Sequence, residues 1–393
     1  MMAAHEMHDV VVVGGGPAGL ALALGLAARG ISTALVTGPE RNVDHRTTAL
    51  LEGSVRILDD FGVWSRLAAS TAPLRDMRIA DATRRLVRAP EVTFRSAEIG
   101  LEAFGYNIEN DALRLGLLAA ALEQPRLHVA RTSVTRVEVD DTAATVELAE
   151  GAPLRARLVV GADGRGSLVR AAAGIGMRTH AYPQVAFTAT VRHTRPHEEI
   201  STEFHTESGP FTLVPLPGDR SSIVCVVSER EAIRLMGLSE ADLSRELEAR
   251  AGSILGRFTV EPGRGAFPLA AETAETLVAP RIALVAEAAH IMPPIGAQGL
   301  NLGLRDVAEL VALVDRAAAL GEDVGGAELL ARYDRARRSD IEGRMRAVDV
   351  LNRSLLSDFL PIQSMRGFGL YLLDRVGPLR RAVMRLGIGE RAA

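Results

Sequence analysis

Hydrophobic residues come in short blocks of two kinds along this chain. Val10 to Val13 form a β-branched run after Asp9, and an apolar segment from Pro17 to Ala28 breaks off at Arg29-Gly30. The first block predicts a buried strand, and the second a helix that Gly30 closes in the left-handed position past its end. A second strand is predicted over 31–36. Residues 127–130, 134–139 and 145–148 read as the strands of a β-meander, with turns at Asp140-Asp141 and Glu150-Gly151. Residues 158–161 and 282–285 are strand-like again. The pattern over 185–192, 201–206, 211–215 and 221–227 is also β, and a helix over 239–251 opens at Ser239, three residues before Asp242, the spacing of a capping box. Beyond Asp306 the chain is helical.

Composition narrows the chemistry. All 45 basic residues of the 393 are Arg, so no lysine amine exists for Schiff-base chemistry or for a phosphate loop ending in Gly-Lys-Ser/Thr. The single Cys225 excludes disulfide frameworks, four-cysteine zinc sites and Cys-x-x-Cys redox pairs. A net charge of -4 with 15 aromatic residues argues against a nucleic-acid binder, which needs a basic field and stacking rings. Val10 to Ala28 is uncharged and resembles a membrane span in hydropathy, but glycines break it, and the helical remainder rises only roughly 20 Å. The start, MMAAHEMHD, has no Arg where a signal peptide carries its positive charge. A soluble, cytoplasmic protein is expected.

Between the first strand and helix lies Gly14-x-Gly16-x-x-Gly19. Strand, glycine turn, helix and strand make the βαβ unit that seats a dinucleotide pyrophosphate on a helix N-terminus. Gly14 makes the turn, Gly16 admits the phosphates and Gly19 lets helix and strand approach. The acid expected at the end of the second strand, for the adenosine ribose, is absent: Thr37 stands there, with one hydrogen bond to offer where a carboxylate accepts two, and Glu40 follows on the next turn.

Two further segments distinguish FAD from NAD. One is Gly161-Ala162-Asp163-Gly164-Arg165 after a strand. The other is Ala286-Glu287-Ala288-Ala289-His290, running on through Pro294, Gln298, Gly299, Leu300, Asn301, Gly303 and Asp306. These resemble the Asp-Gly and Gly-Asp motifs of the flavoprotein aromatic hydroxylases with the para-hydroxybenzoate hydroxylase fold. Asp44-x-Arg46-x-x-Ala49-Leu50, Gly209-Pro210-Phe211, Pro215-Leu216-Pro217 and the string from Pro293 to Asp306 are similar to the ubiquinone-biosynthesis hydroxylases. The likeness runs from about residue 9 to about residue 375.

The resemblance implies an α/β protein with FAD as cofactor. A Rossmann-like FAD domain is expected from 1–74, 102–177 and 268–327, and an inserted, mostly antiparallel β-sheet substrate domain from 75–101 and 178–267. A helical region over 328–393 completes the chain. Gly14, Gly16 and Gly19 would meet the pyrophosphate, Thr37 and Arg46 the ribose and phosphate region, Asp163 would close the second motif, and Glu287 would bind the ribityl chain. Pro294, Gln298 and the turn through Gly299, Leu300 and Asn301 would lie beside the isoalloxazine. The family's Gly-Asp is Ala286-Glu287 here; Glu keeps the acceptor, and Ala is costly only if its φ is positive. NAD(P)H would reduce the flavin, and O2 would add to give a C4a-hydroperoxyflavin that hydroxylates a polyprenyl phenol. Tyr182 is a candidate contact for that phenol or simply a wall residue.

The alternatives are a soluble aromatic or polyketide substrate, a flavin-poor non-catalytic partner in a quinone-synthesis complex, and a flavin reductase or oxidase without oxygen transfer. No metal is expected at His290, and the His193/His197 and Glu203/His205 spacings read as solvated positions. The segment 366–391 carries six Arg against Asp374 and Glu390 beside an apolar face. It reads either as a peripheral contact with the inner face of the membrane or as a helix packed on its own protein.

Overall fold

The structure, a computed structural model, describes residues 7–39, 43–83, 90–207, 209–356 and 375–388. The valine run becomes the strand Met7–Val13, with Val10 to Val12 fully buried. It lies in the middle of five parallel strands ordered Ile282–Leu284, Leu154–Gly161, Met7–Val13, Thr33–Val36 and Leu127–Ala130. The helix Pro17–Ala28 is buried from Ala18 to Ala27 because it is apolar all round and packed between the sheet and the helices Asn110–Glu123 and Gln298–Ala319. Gly30 closes it at φ +79, as expected.

The strand Leu127–Ala130 differs from the expected meander. It pairs in parallel with Thr33–Val36 at the sheet edge, and only Val134–Val139, Ala144–Leu148 and Leu154–Gly161 form an antiparallel run. Local alternation specifies a strand but not its partner, and here the partner lies far back in the chain.

A second sheet follows the order His290–Ile291, Gly265–Ala274, Met177–His193, Arg220–Ser228, Gly209–Leu216, Ile200–Thr206, Asp76–Asp81 and Val92–Arg95. Every pairing is antiparallel except that of Ile200–Thr206 with Asp76–Asp81. One face, with Val185, Phe187, Phe211, Ile223 and Val227, is buried under the helices Glu229–Gly237 and Glu240–Arg250 through Ala232, Leu235, Leu243 and Leu247. Ser239 caps the second of these by accepting from the Asp242 N–H at 3.1 Å. The helix Glu229–Gly237 was not anticipated. The opposite face carries the small cluster of Ala186, Val226 and Leu269, with Tyr182 and Val224 against it. A short sheet of Thr47–Leu51, Gly105–Glu109 and Thr71–Pro73 shares no strand with either but is joined to the second through Thr47 Oγ1 to Ser222 Oγ at 2.8 Å and Asn107 Nδ2 to Pro215 O at 2.9 Å.

The helices Gln298–Ala319 and Ala327–Leu356 are pinned to the first sheet by a buried ion. Asp306 has no solvent exposure. Its carboxylate accepts from the Ala286 N–H at 3.0 Å, from His290 Nε2 at 2.6 Å and from Arg337 Nε at 2.7 Å. Burial works to raise its pKa, but His290 and Arg337 outweigh that and hold the group below the usual carboxylate range. Removing one member of such a cluster strands the others in a dry interior. Asp306→Ala is therefore expected to destabilise the protein by about 3–5 kcal/mol, measured by urea unfolding; a change within experimental error would show that the cluster is not holding the helices.

Candidate active site

The carboxyl ends of the parallel strands are stitched together, and all three motifs lie there. The Gly14 N–H donates to Val36 O at 2.8 Å, Ala162 N–H to Val13 O at 2.8 Å, and Val285 N–H to Gly161 O at 3.0 Å. Side chains are excluded at the crossing points. A Cβ on Gly14, whose φ is +130, would strike the Ala162 carbonyl, one on Gly15 would lie 2.6 Å from Thr37 O, and one on Gly19 would strike Gly14 O. Gly16 is different: it has an ordinary φ of −79, and a Cβ there would meet nothing within 4 Å. It opens the helix Pro17–Ala28, which has no side-chain cap and no acid in its first turn, so its first N–H groups and the positive end of its dipole face an open cradle.

Thr37 sits at the end of its strand, where it was expected, with its hydroxyl donating to Gly38 O at 3.2 Å. Glu40 lies outside the described residues. Arg46 is gripped by Asp44, with Nε to Oδ1 at 2.8 Å and Nη2 to Oδ2 at 2.7 Å, and its guanidinium lies 5.0 Å over the Phe267 ring. Burial pushes the Asp44 carboxyl up, but the Arg46 and Asn110 hydrogen bonds prevail and bring it down to about 2. The Asp44 carboxylate, and to a lesser degree that of Glu287, outweighs burial and holds the Arg46 guanidinium above its ordinary range.

Glu287 is exposed and makes no hydrogen bond or ion pair among the described residues, and a Cβ on Gly164 would lie 4.0 Å from its Oε2. The second and third motifs therefore meet at a carboxylate with free acceptors. Ala286 beside it has φ +53, so the residue that replaces the family's glycine carries left-handed strain, about 1 kcal/mol or more. Helix Gln298–Ala319 can approach because of Gly303, where a Cβ would come 2.7 Å from the Ala286 Cβ.

Two residues expected as cofactor contacts have side chains that the fold itself engages. The Asp163 carboxylate accepts from Ser167 Oγ at 2.5 Å and from the Leu168 and Val169 N–H groups at 2.7 and 3.2 Å, capping the helix Leu168–Ala172. The Asn301 carboxamide accepts from the Leu51 N–H at 2.8 Å and Ser54 Oγ at 2.6 Å and donates to Ala49 O at 2.8 Å. It joins the helix start to the strand Thr47–Leu51. Leu300 is half-buried against the main core. Pro294 precedes a turn in which Gly296 and Ala297 are both left-handed, and Gln298 and Gly299 begin the uncapped helix, with open space at Gly299.

Other candidates resolve into structural roles. Tyr182 donates its hydroxyl to Asp349 at 3.0 Å. His193 and His205 are buried rather than solvated; His193 Nε2 is 3.0 Å from Ser221 Oγ, and His205 Nε2 is 3.0 Å from Glu203 Oε1. No group of three metal-ligating side chains occurs among the described residues. Sequence reasoning missed the Arg337, Asp340 and Arg344 series behind the site. Their spacing of three and four places them on one helix face, and that was the available signal.

An uncapped helix N-terminus behind an unfilled glycine and an exposed carboxylate where the second and third motifs meet are features that fit a dinucleotide. The sequence matches the family described as FAD binding domain over residues 7–347. The chain belongs to this family. It is 37% identical to ubiquinone hydroxylase UbiL of Rhodospirillum rubrum, over 98% of this chain and 90% of that one. It is 31% identical to 3-demethoxyubiquinol 3-hydroxylase of Escherichia coli, over 98% and 99%. Among solved structures, p-nitrophenol 4-monooxygenase PnpA from Pseudomonas putida shares the fold with a TM-score of 0.80 at 19% identity, covering 98% of this chain and 99% of that one. An HpxO variant from Klebsiella pneumoniae complexed with FAD gives 0.78 at 19% identity, over 97% and 98%.

This flavoprotein monooxygenase uses FAD, with NAD(P)H and O2 as co-substrates as is general in the family. The redox chemistry and oxygen activation come from FAD when bound, which is why no nucleophile or metal is needed. The Pro17–Ala28 N-terminus and Gly16 would hold the phosphates, and Glu287 would accept from sugar or ribityl hydroxyls. The N–H groups at Gly299 would favour negative charge on the ring.

Because a side chain at Gly16 displaces ligand and not protein, Gly16→Val is expected to leave the apoprotein's unfolding unchanged. FAD affinity should fall by about a hundredfold, or about 2.7 kcal/mol. Fluorescence titration of apoprotein checks this, and wild-type affinity in the variant would remove the glycine turn from the site.

Proposed function

We propose that this enzyme hydroxylates the phenol ring of a polyprenylated quinone precursor in ubiquinone biosynthesis. The observation that carries the reading is the 37% identity, over 98% of this chain, to a protein named as a ubiquinone hydroxylase. The face of the second sheet away from its helices supports it: Ala186, Val226 and Leu269 are buried there with Val224 and Tyr182 partly buried against them, an apolar cluster of the kind that lines a site for a ring with a hydrocarbon tail. Apolar walls bind without fixing charge, so the ring's orientation would be set by the flavin opposite. Deleting the gene should lower ubiquinone and accumulate a precursor short of one hydroxyl, and the plasmid-borne wild type should restore the profile. An unaltered quinone profile would reject the assignment.

The same reading gives the C-terminal segment a role at the inner face of the membrane. No helix among the described residues is long and apolar enough to cross one. Of the segment 366–391, residues 366–374 and 389–391 lie outside the described residues. The helix Gly377–Ile388 rests on the second sheet through Met384, which packs with Val92, Phe94 and Phe104, and through the Arg380–Glu98 ion pair at 2.7 Å. Val376, Leu379 and Val383 face outward, each about 40% exposed, with Arg381 and Arg385 exposed beside them. That arrangement supports a peripheral contact in which guanidinium groups meet lipid phosphates. Purified protein should float with vesicles containing anionic lipid and release as salt rises; flotation with neutral vesicles alone, or none at all, counts against the contact.

A further inference from the structure

The turn before the helix Gln298–Ala319 is held in an unfavourable shape. Gly296 has φ +67 and Ala297 φ +54, two left-handed residues in succession, one of them bearing a Cβ. A conformation of this kind persists only where its surroundings fix it. From inside, Asn301 Nδ2 donates to the Ala297 carbonyl. From outside, Gln298 Nε2 donates to Gly296 O at 2.9 Å, while Gln298 Oε1 accepts from Arg344 Nη1 at 2.7 Å. The Gln298 amide is thus used at both ends, and Arg344 decides where it points.

Arg344 is itself fixed. Its Nε donates to Asp340 Oδ1 at 3.2 Å, and Asp340 is shared with Arg305 at 2.9 Å and Arg337 at 2.8 Å. Arg337 in turn holds Asp306, the carboxylate that accepts from the left-handed Ala286. One connected set of charges therefore reaches both strained alanines, Ala286 beside Glu287 and Ala297 at the helix start. Arg344 is its last member toward the turn.

We propose that Arg344 is a positioning residue for the flavin ring, acting through Gln298. The proposal rests on the FAD site described above, with the isoalloxazine beside the 294–301 turn. Arg344 keeps the Gly296-Ala297 bend closed, and the bend aims the uncapped N–H groups at the start of the helix. Those N–H groups favour the more negative, reduced ring over the oxidised one. Loosening the turn therefore costs the reduced form more. Asp340 keeps Arg305 and Arg337 when Arg344 is replaced, so the surrounding network stays paired.

The test uses Arg344→Met, Gln298→Ala and the double variant, reading FAD affinity of the apoprotein, the midpoint potential of bound flavin and urea unfolding of the apoprotein. Arg344→Met should weaken reduced FAD about tenfold more than oxidised FAD, which lowers a two-electron potential by about 30 mV, with unfolding unchanged. Adding Arg344→Met to Gln298→Ala should change the potential no further, because the route is already cut. Arg344→Lys keeps the charge against Asp340 but lacks the fork that serves two partners, so the same shift is expected, and it replaces the Met variant if that does not fold. A wild-type potential in both the Met and Lys variants, or shifts that add in the double variant, would overturn the proposal. A wild-type protein that takes up no FAD would overturn the flavin reading itself, and is distinguishable because it appears without any variant.

Discussion

A carboxylate with no access to water must find every partner inside the protein, and Asp306 finds its partners on three separate elements. The Ala286 N–H comes from the turn after the strand Ile282–Leu284, His290 from the segment that follows, and Arg337 from the helix Ala327–Leu356. Gly303 lies three residues before Asp306 on the helix Gln298–Ala319, and three residues apart means one face. That face needs no side chain where it crosses Ala286 and a charge where it crosses the Ala286 N–H. The position of Glu287, the free acceptor of the site, follows from this contact. A turn with a left-handed alanine would otherwise relax, and the carboxylate would relax with it.

The absence of lysine takes on a structural meaning around Asp340. Arg305, Arg337 and Arg344 all reach that one carboxylate, and Arg337 and Arg344 each go on to a second partner. A planar fork with five donors can bridge in this way, whereas an ammonium acts as a point charge. The same property matters at Arg46. Asp44 engages Nε and Nη2, which orients the side chain and leaves Nη1 to a further partner. Asp44 orients Arg46 without exhausting it.

The three glycine-bearing motifs were legible because each has a local, steric reason: a turn, a close crossing, a helix start. The first strand and helix were legible from unbroken apolar runs and several later strands from alternation, while the helix Glu229–Gly237 was not. What lay beyond reach was partnership. Leu127–Ala130 shows its strand character in its own residues, but its pairing with Thr33–Val36 depends on the whole intervening chain. Asp163 and Asn301 carry side chains of the ligand-binding kind, and only the structure shows their oxygens turned to Leu168, Val169, Leu51 and Ser54. Arg337, Asp340 and Arg344 have the spacing of an ordinary solvated helix pair, and burial, which sequence spacing does not encode, makes them a hub.

The glycines of the first motif separate two requirements that sequence alone merges. Gly14, Gly15 and Gly19 are excluded from having side chains by Ala162, Thr37 and Gly14 itself, so folding accounts for them whether or not anything binds. Gly16 has a backbone conformation open to any residue and empty space where a Cβ would lie. Glycine there raises the entropy lost on folding and relieves no clash within the protein. Its advantage must therefore lie with something outside the chain that approaches the backbone closely. The start of a helix with no cap and no acid in its first turn favours an anion there.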